Sequence, residues 1–203
     1  GDLGTVKDCT LTLKGLLTKM LLHASFKGDA IFDTKATLST NFEHLSGTLF
    51  NFNFEYPFMK TKIRLQKPFN FLFSPTNMNV QDMQLAIAPH GELRLGGQLA
   101  QNNMNLKGNI NKIDLSYLPL DLKGILSSTL AISGTPHSPK GNIELLLKDF
   151  QTLVSPKVSF VLKGNIVQAG QDYKLSLALN MLEKEKYNVE KANVSLQIPL
   201  QYT

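Results

Sequence analysis

Four histidines (His23, His44, His90 and His137), the lone Cys9 and scattered carboxylates are what the chain offers for catalysis or metal binding. Metal ligands need His or Cys at short, repeated spacings, and these are spread singly, so no structural zinc is expected; an unpaired Cys9 forms no internal disulfide. His90 in "APHGE" and His137 in "TPHSP" sit in proline turns, where a solvated loop histidine is the plain reading. Asp114, Asp121, Glu144 and Asp149 alternate with apolar residues or end strands, as outer-face and turn residues do. "GELRLGG" has glycines at phosphate-loop spacing, but Gly97 stands where the lysine belongs and the phrase lies inside an alternating strand. No GxSxG elbow is present, and "NVS" at Asn193 falls mid-strand. The expectation is a protein that is not an enzyme and uses no cofactor.

A different signal repeats. "KGNI" occurs at Lys107–Ile110, Lys140–Ile143 and Lys163–Ile166, each time within a period-two pattern that puts Gly on the apolar parity and Lys on the opposite one. Glycine inside a strand marks a bulge, a bend or close backbone approach. On the inner face of successive strands it would let a sheet curl without side-chain collision.

The elements around these phrases read as strands almost without interruption from Glu92 onward. Leu93, Leu95, Gly97 and Leu99 alternate with Glu92, Arg94, Gly96 and Gln98; Met104, Leu106, Gly108 and Ile110 alternate with Asn103, Asn105, Lys107 and Asn109. After a turn at "DLSYLP", Leu122, Gly124, Leu126, Leu130 and Ile132 share one parity, with Ile125 the exception. Ile143, Leu145 and Leu147 follow, then Val158, Phe160, Leu162, Gly164 and Ile166. Tyr173, Leu175, Leu177, Leu179 and Met181 come next, and Ala192, Val194, Leu196 and Ile198 close the series. "SGTPHSPKG", "QAGQD" and "EKEKYN" separate them. Earlier, "TLFNFNFEY" puts Phe50, Phe52 and Phe54 on one face, "MKTKIRLQ" groups Met59, Ile63 and Leu65, and "FNFLF" supplies Phe69, Phe71 and Phe73. Leu16, Leu17, Met20, Leu21 and Ala24 fit a helical face as well as a strand, and a short helix is expected there. The fold class is therefore all-β: one elongated antiparallel meander over 1–203, with no domain linker.

Composition agrees. With 203 residues and 42% hydrophobic content the chain can bury apolar surface, which excludes a disordered tail. Its net charge of +5 comes from dispersed basic residues, unlike the dense basic patch of a nucleic-acid groove, and leaves anionic lipid surfaces open as partners. Neither a signal peptide nor about 18 consecutive apolar residues for a membrane span is present. The chain begins without Met, in mid-phrase at "GDLGTV", as a piece of a longer protein would.

On residues alone the apolar stripe reads either as the core of a sandwich or barrel, or as an open channel. Its Leu, Ile, Val and Gly content, in a chain lacking Trp, suits alkyl chains. The segment Met104–Phe150, "MNLKGNINKIDLSYLPLDLKGILSSTLAISGTPHSPKGNIELLLKDF", resembles the repeat phrase of the translocation and assembly module subunit TamB and its AsmA-like relatives, most specifically at "SGTPHSPKGNIEL". The resemblance implies a β-taco, a sheet folded into a trough with its apolar face inward. It also implies a Gram-negative periplasmic setting, a parent anchored in the inner membrane, phospholipid as ligand and an Omp85-class outer-membrane partner. The groove lining would then be the inward residues Leu93 to Ile198 named above. About a dozen strands at about 4.8 Å give roughly 60 Å of trough. Pieces of such a trough should associate end to end, and its edges could instead serve as a scaffold for outer-membrane protein assembly.

Overall fold

A computed structural model describes residues 6–41, 43–57, 60–117, 122–169, 172–182 and 191–199; for 191–199 the description is of the backbone. The alternation becomes strands β1 (Val6–Leu16), β2 (Lys19–Gly28), β3 (Ile31–Thr40), β4 (Leu45–Tyr56), β5 (Thr61–Leu65), β6 (Phe69–Ser74) and β7 (Asn77–Ile87). They continue as β8 (Gly91–Ala100), β9 (Asn103–Asp114), β10 (Leu122–Thr135), β11 (Ser138–Thr152), β12 (Val158–Ala169), β13 (Asp172–Met181) and β14 (Lys191–Pro199). All lie in one 14-stranded sheet whose order follows the chain, and every pairing is antiparallel. β5 and β6 fill one strand's width together, since each pairs with both β4 and β7, with Gln66–Pro68 as the break. Asp121, Met59, part of the "QAGQD" break and all of the "EKEKYN" break lie outside the described residues.

Two expectations are corrected. No helix forms at Leu16–Ala24: β1 and β2 make a hairpin there, with Met20, Leu22 and Ala24 on one face, opposite Leu38, Ala36 and Thr34 of β3. A helix would have gathered Leu17 and Leu21 with Met20, yet Leu17 sits in the turn and both it and Leu21 are exposed. The second concerns Phe50. The register slips between Lys35 and Ala36, so Phe50 is an extra residue; Leu49 takes the inner position opposite Ala36, and Phe50 leaves the face of Phe52 and Phe54.

Bulges recur and bend the sheet. Register slips accompany positive-φ residues at Asp82 on β7, Lys112 on β9 and Asp149 on β11. A bulge leaves a backbone N–H unpaired in the ladder, and a neighbouring serine answers it twice: Lys112 N–H donates to Ser127 Oγ at 3.2 Å, and Asp149 N–H to Ser159 Oγ at 3.0 Å. Ser159 is buried accordingly. At the third bulge, Lys67 and Gln84 donate to the two carboxylate oxygens of Asp82. Those hydrogen bonds, Lys67 first, hold the Asp82 carboxyl below its ordinary value. A depressed folded-state pKa stabilises above the unfolded-state pKa and is lost as pH falls through the folded value. Acid titration of stability should therefore show a small extra loss below the usual aspartate range, absent in Asp82→Asn. An identical acid profile for both proteins would refute the assignment.

The apolar trough as candidate functional site

Directly opposed residues share a face, so the registers can be followed strand to strand. One row runs Leu95–Gly108–Leu130–Ile143–Gly164–Leu177. Its neighbours run Leu93–Ile110–Ser128–Leu145–Leu162–Leu179 and Gly97–Leu106–Ile132–Gly141–Ile166–Leu175. Leu126–Leu147–Phe160–Met181 forms a further row, Leu99 opposes Met104, and Val158 opposes Phe150. Val194, Leu196 and Ile198 occupy the register positions opposite Leu177, Leu175 and Tyr173. All the sequence-read lining positions thus fall on one face. The same face continues back through Met78, Val80, Met83, Leu85 and Ile87 on β7, then Phe71 and Phe73. It goes on through Phe52, Phe54, Phe32, Phe26, Leu22 and Met20 to Leu11 and Leu13 on β1.

From Cys9 on β1 to Met181 on β13, the registers put no charged side chain on this face among the described residues. The lysines go outward: Lys107, Lys140 and Lys163 are exposed, and Lys163 meets Glu144 across the outer face at 3.3 Å.

This face is the inside of a curl. At one rim the 3₁₀ turn Leu115–Tyr117 reaches back across β7 and β8, and the hydroxyl of Thr61 on β5 donates to the Tyr117 carbonyl. Thr61, Ile87, Ile113 and Leu115 are buried there. At the other rim Pro136 and His137, the tip of the β10–β11 hairpin, share a cavity of about 340 Å³ with Pro75, Met78 and Leu99. At both rims a turn thus lies against strands that are not its neighbours in the sheet.

The curl does not close into a core. No large side chain among the described residues is fully buried, and the lining is mostly half-exposed. The accessible surface is 13367 Å² for a 22.5 kDa chain, against about 9,500 Å² for a compact monomer of that mass. An open cavity of about 250 Å³ lies on the lining between Leu93, Leu95, Ile110, Leu130 and Ile143.

The KGNI glycines have different jobs within this surface. A Cβ on Gly108 would meet nothing nearer than 3.7 Å, so its missing side chain leaves the floor of that cavity open. A Cβ on Gly164 would come within 2.7 Å of Ile143 Cγ2 and 3.0 Å of Leu177 Cδ2, so those side chains already lean over it.

Among the described residues no group of His, Cys, Asp and Glu could hold a metal ion, and no helix is long and apolar enough to cross a membrane. One polar cluster was not foreseen. On the outer face Asp33 accepts from His23 Nε2 at 2.8 Å and from the Asn51 side chain. Expecting a helix at Leu16–Ala24 removed His23 from the strand whose pairing with β3 brings it beside Asp33. No family model matches the chain, and no curated protein or solved structure is significantly similar to it.

Proposed function

We propose that the trough conducts the acyl chains of phospholipid, as a segment of a TamB- or AsmA-like periplasmic protein whose parent is anchored in the inner membrane and meets an Omp85-class partner at the outer one. The observation that carries this reading is the uncharged, half-exposed aliphatic face running without a break along the sheet. A chain leaving a bilayer must replace about 0.8 kcal/mol of apolar contact per methylene. A continuous lining lets each methylene exchange one leucine contact for the next, so no large barrier interrupts the path. The part played by the protein is solvation of a moving chain, with no bond made or broken. Purified protein should retain phospholipid through detergent exchange, detected by native mass spectrometry, with about one two-chain lipid per trough segment or more. Protein that stays lipid-free after incubation with vesicles and shows no protection of acyl chains would argue against the conduit.

A scaffold role is the second reading, favoured by β1. Among the described residues this 11-residue strand pairs only with β2, and its Leu11 and Leu13 are 73% and 56% exposed. A long edge with apolar side chains recruits other strands. The protein should associate through β1 at micromolar concentration, and Leu11→Lys with Leu13→Lys should return it to monomer in analytical ultracentrifugation. Unchanged association in that double variant would remove the edge from consideration.

A further inference from the structure

We propose a second ligand site, on the outer face of β1–β4, that binds a fatty-acid-like amphiphile: one alkyl chain ending in a carboxylate. It is independent of the trough, since it lies on the opposite side of the sheet. The β4 bulge takes Phe50 off the inner phenylalanine ladder and leaves it 49% exposed beside the outward Leu21, itself 58% exposed. Bulges commonly re-aim a side chain at a working position. Phe50 and Leu21 line an open cavity of about 530 Å³ with Thr12, Lys14, His23 and Lys35. That volume falls in the roughly 300–1,000 Å³ range of small-molecule sites.

The charges at its wall are one-sided. Neither Lys14 nor Lys35 has an acidic partner among the described residues, whereas six other basic side chains do. Asp33, one row further along the same face, is occupied on both oxygens, by His23 and by Asn51. Thr12, His23 and Lys35 stand in one cross-strand row, and Lys14 and Leu21 oppose each other in the next. An apolar floor with two unpaired ammonium groups at its edge complements an alkyl chain with an anionic head, because a charge-assisted bond to lysine fixes the head while the chain covers Leu21 and Phe50.

The test is a titration of the whole chain with laurate, below its micelle-forming concentration, followed by two-dimensional NMR. Laurate should shift the resonances of Leu21, His23 and Phe50 saturably, and Lys14→Gln with Lys35→Gln should weaken binding about tenfold or more. Phe50→Ser should weaken it comparably, and since Phe50 is half-exposed this variant should keep the fold. Leu130→Arg, on the opposite face, should leave these shifts unchanged, so failure of the trough reading and failure of this site are read separately. Equal shifts from neutral dodecyl maltoside, shifts confined to trough residues, or binding only to anionic vesicles would each overturn the proposal.

Discussion

Replacing Leu130 with Arg should cut phospholipid retention by the trough about tenfold while leaving the protein folded. Leu130 lies in the middle of an inner-face row, between Gly108 and Ile143, and lines the open cavity on the inner face. A guanidinium there keeps its hydration and holds off the chain. Losing contact with two methylenes costs about 1.6 kcal/mol, which is about tenfold in affinity. The fold should survive because Leu130 is only half-buried and a long side chain can carry its charge to water along the open trough. Lys123→Glu, on the exposed outer surface, should leave both retention and stability within error. Retention by Leu130→Arg equal to that of the unsubstituted protein, in protein of native circular dichroism, would contradict the conduit.

The second large effect is on stability. Gly97→Ala should destabilise by at least about 2 kcal/mol, because Gly97 has a φ of 134° and an added Cβ would lie 2.0 Å from the Asn105 carbonyl oxygen. The obstacle is backbone, which no rotamer change relieves. Gly108→Ala, one strand away on the same face, should be neutral or stabilising by up to about 1 kcal/mol, since nothing crowds it and alanine lowers unfolded-state entropy. Urea denaturation of the two variants checks both. A Gly108→Ala loss as large as that of Gly97→Ala would mean that the inward glycines are all required for the curl.

That contrast shows where the sequence was legible. Parity placed Leu95, Leu130, Leu177 and their neighbours on one face because a period of two survives any number of antiparallel pairings, so long as each strand keeps its register. It could not distinguish Gly97 from Gly108, each of which shares the parity of its own strand's apolar residues and differs from the other only in what the neighbouring backbone does. Parity also fails wherever a bulge adds a residue. Phe50 reads as the first of three phenylalanines on one face, yet the slip beside Ala36 hands its place to Leu49. At Leu16–Ala24 two periods fit equally, and the pairing of β2 with β3, a contact no local pattern contains, decided for strand. The outer cavity depends on both of these misread places, with Leu21 from one and Phe50 from the other.

The inside–outside difference is the central claim, and a photo-reactive amino acid reads it directly. Leu177 lies in the aliphatic row, and Lys174, three residues earlier on β13, is exposed on the outer face. Irradiated in cells that make the protein, a crosslinker at Leu177 should capture phospholipid, while one at Lys174 should capture little or none. Equal phospholipid capture at the two positions, or none at Leu177, would contradict the trough as the path of the acyl chain.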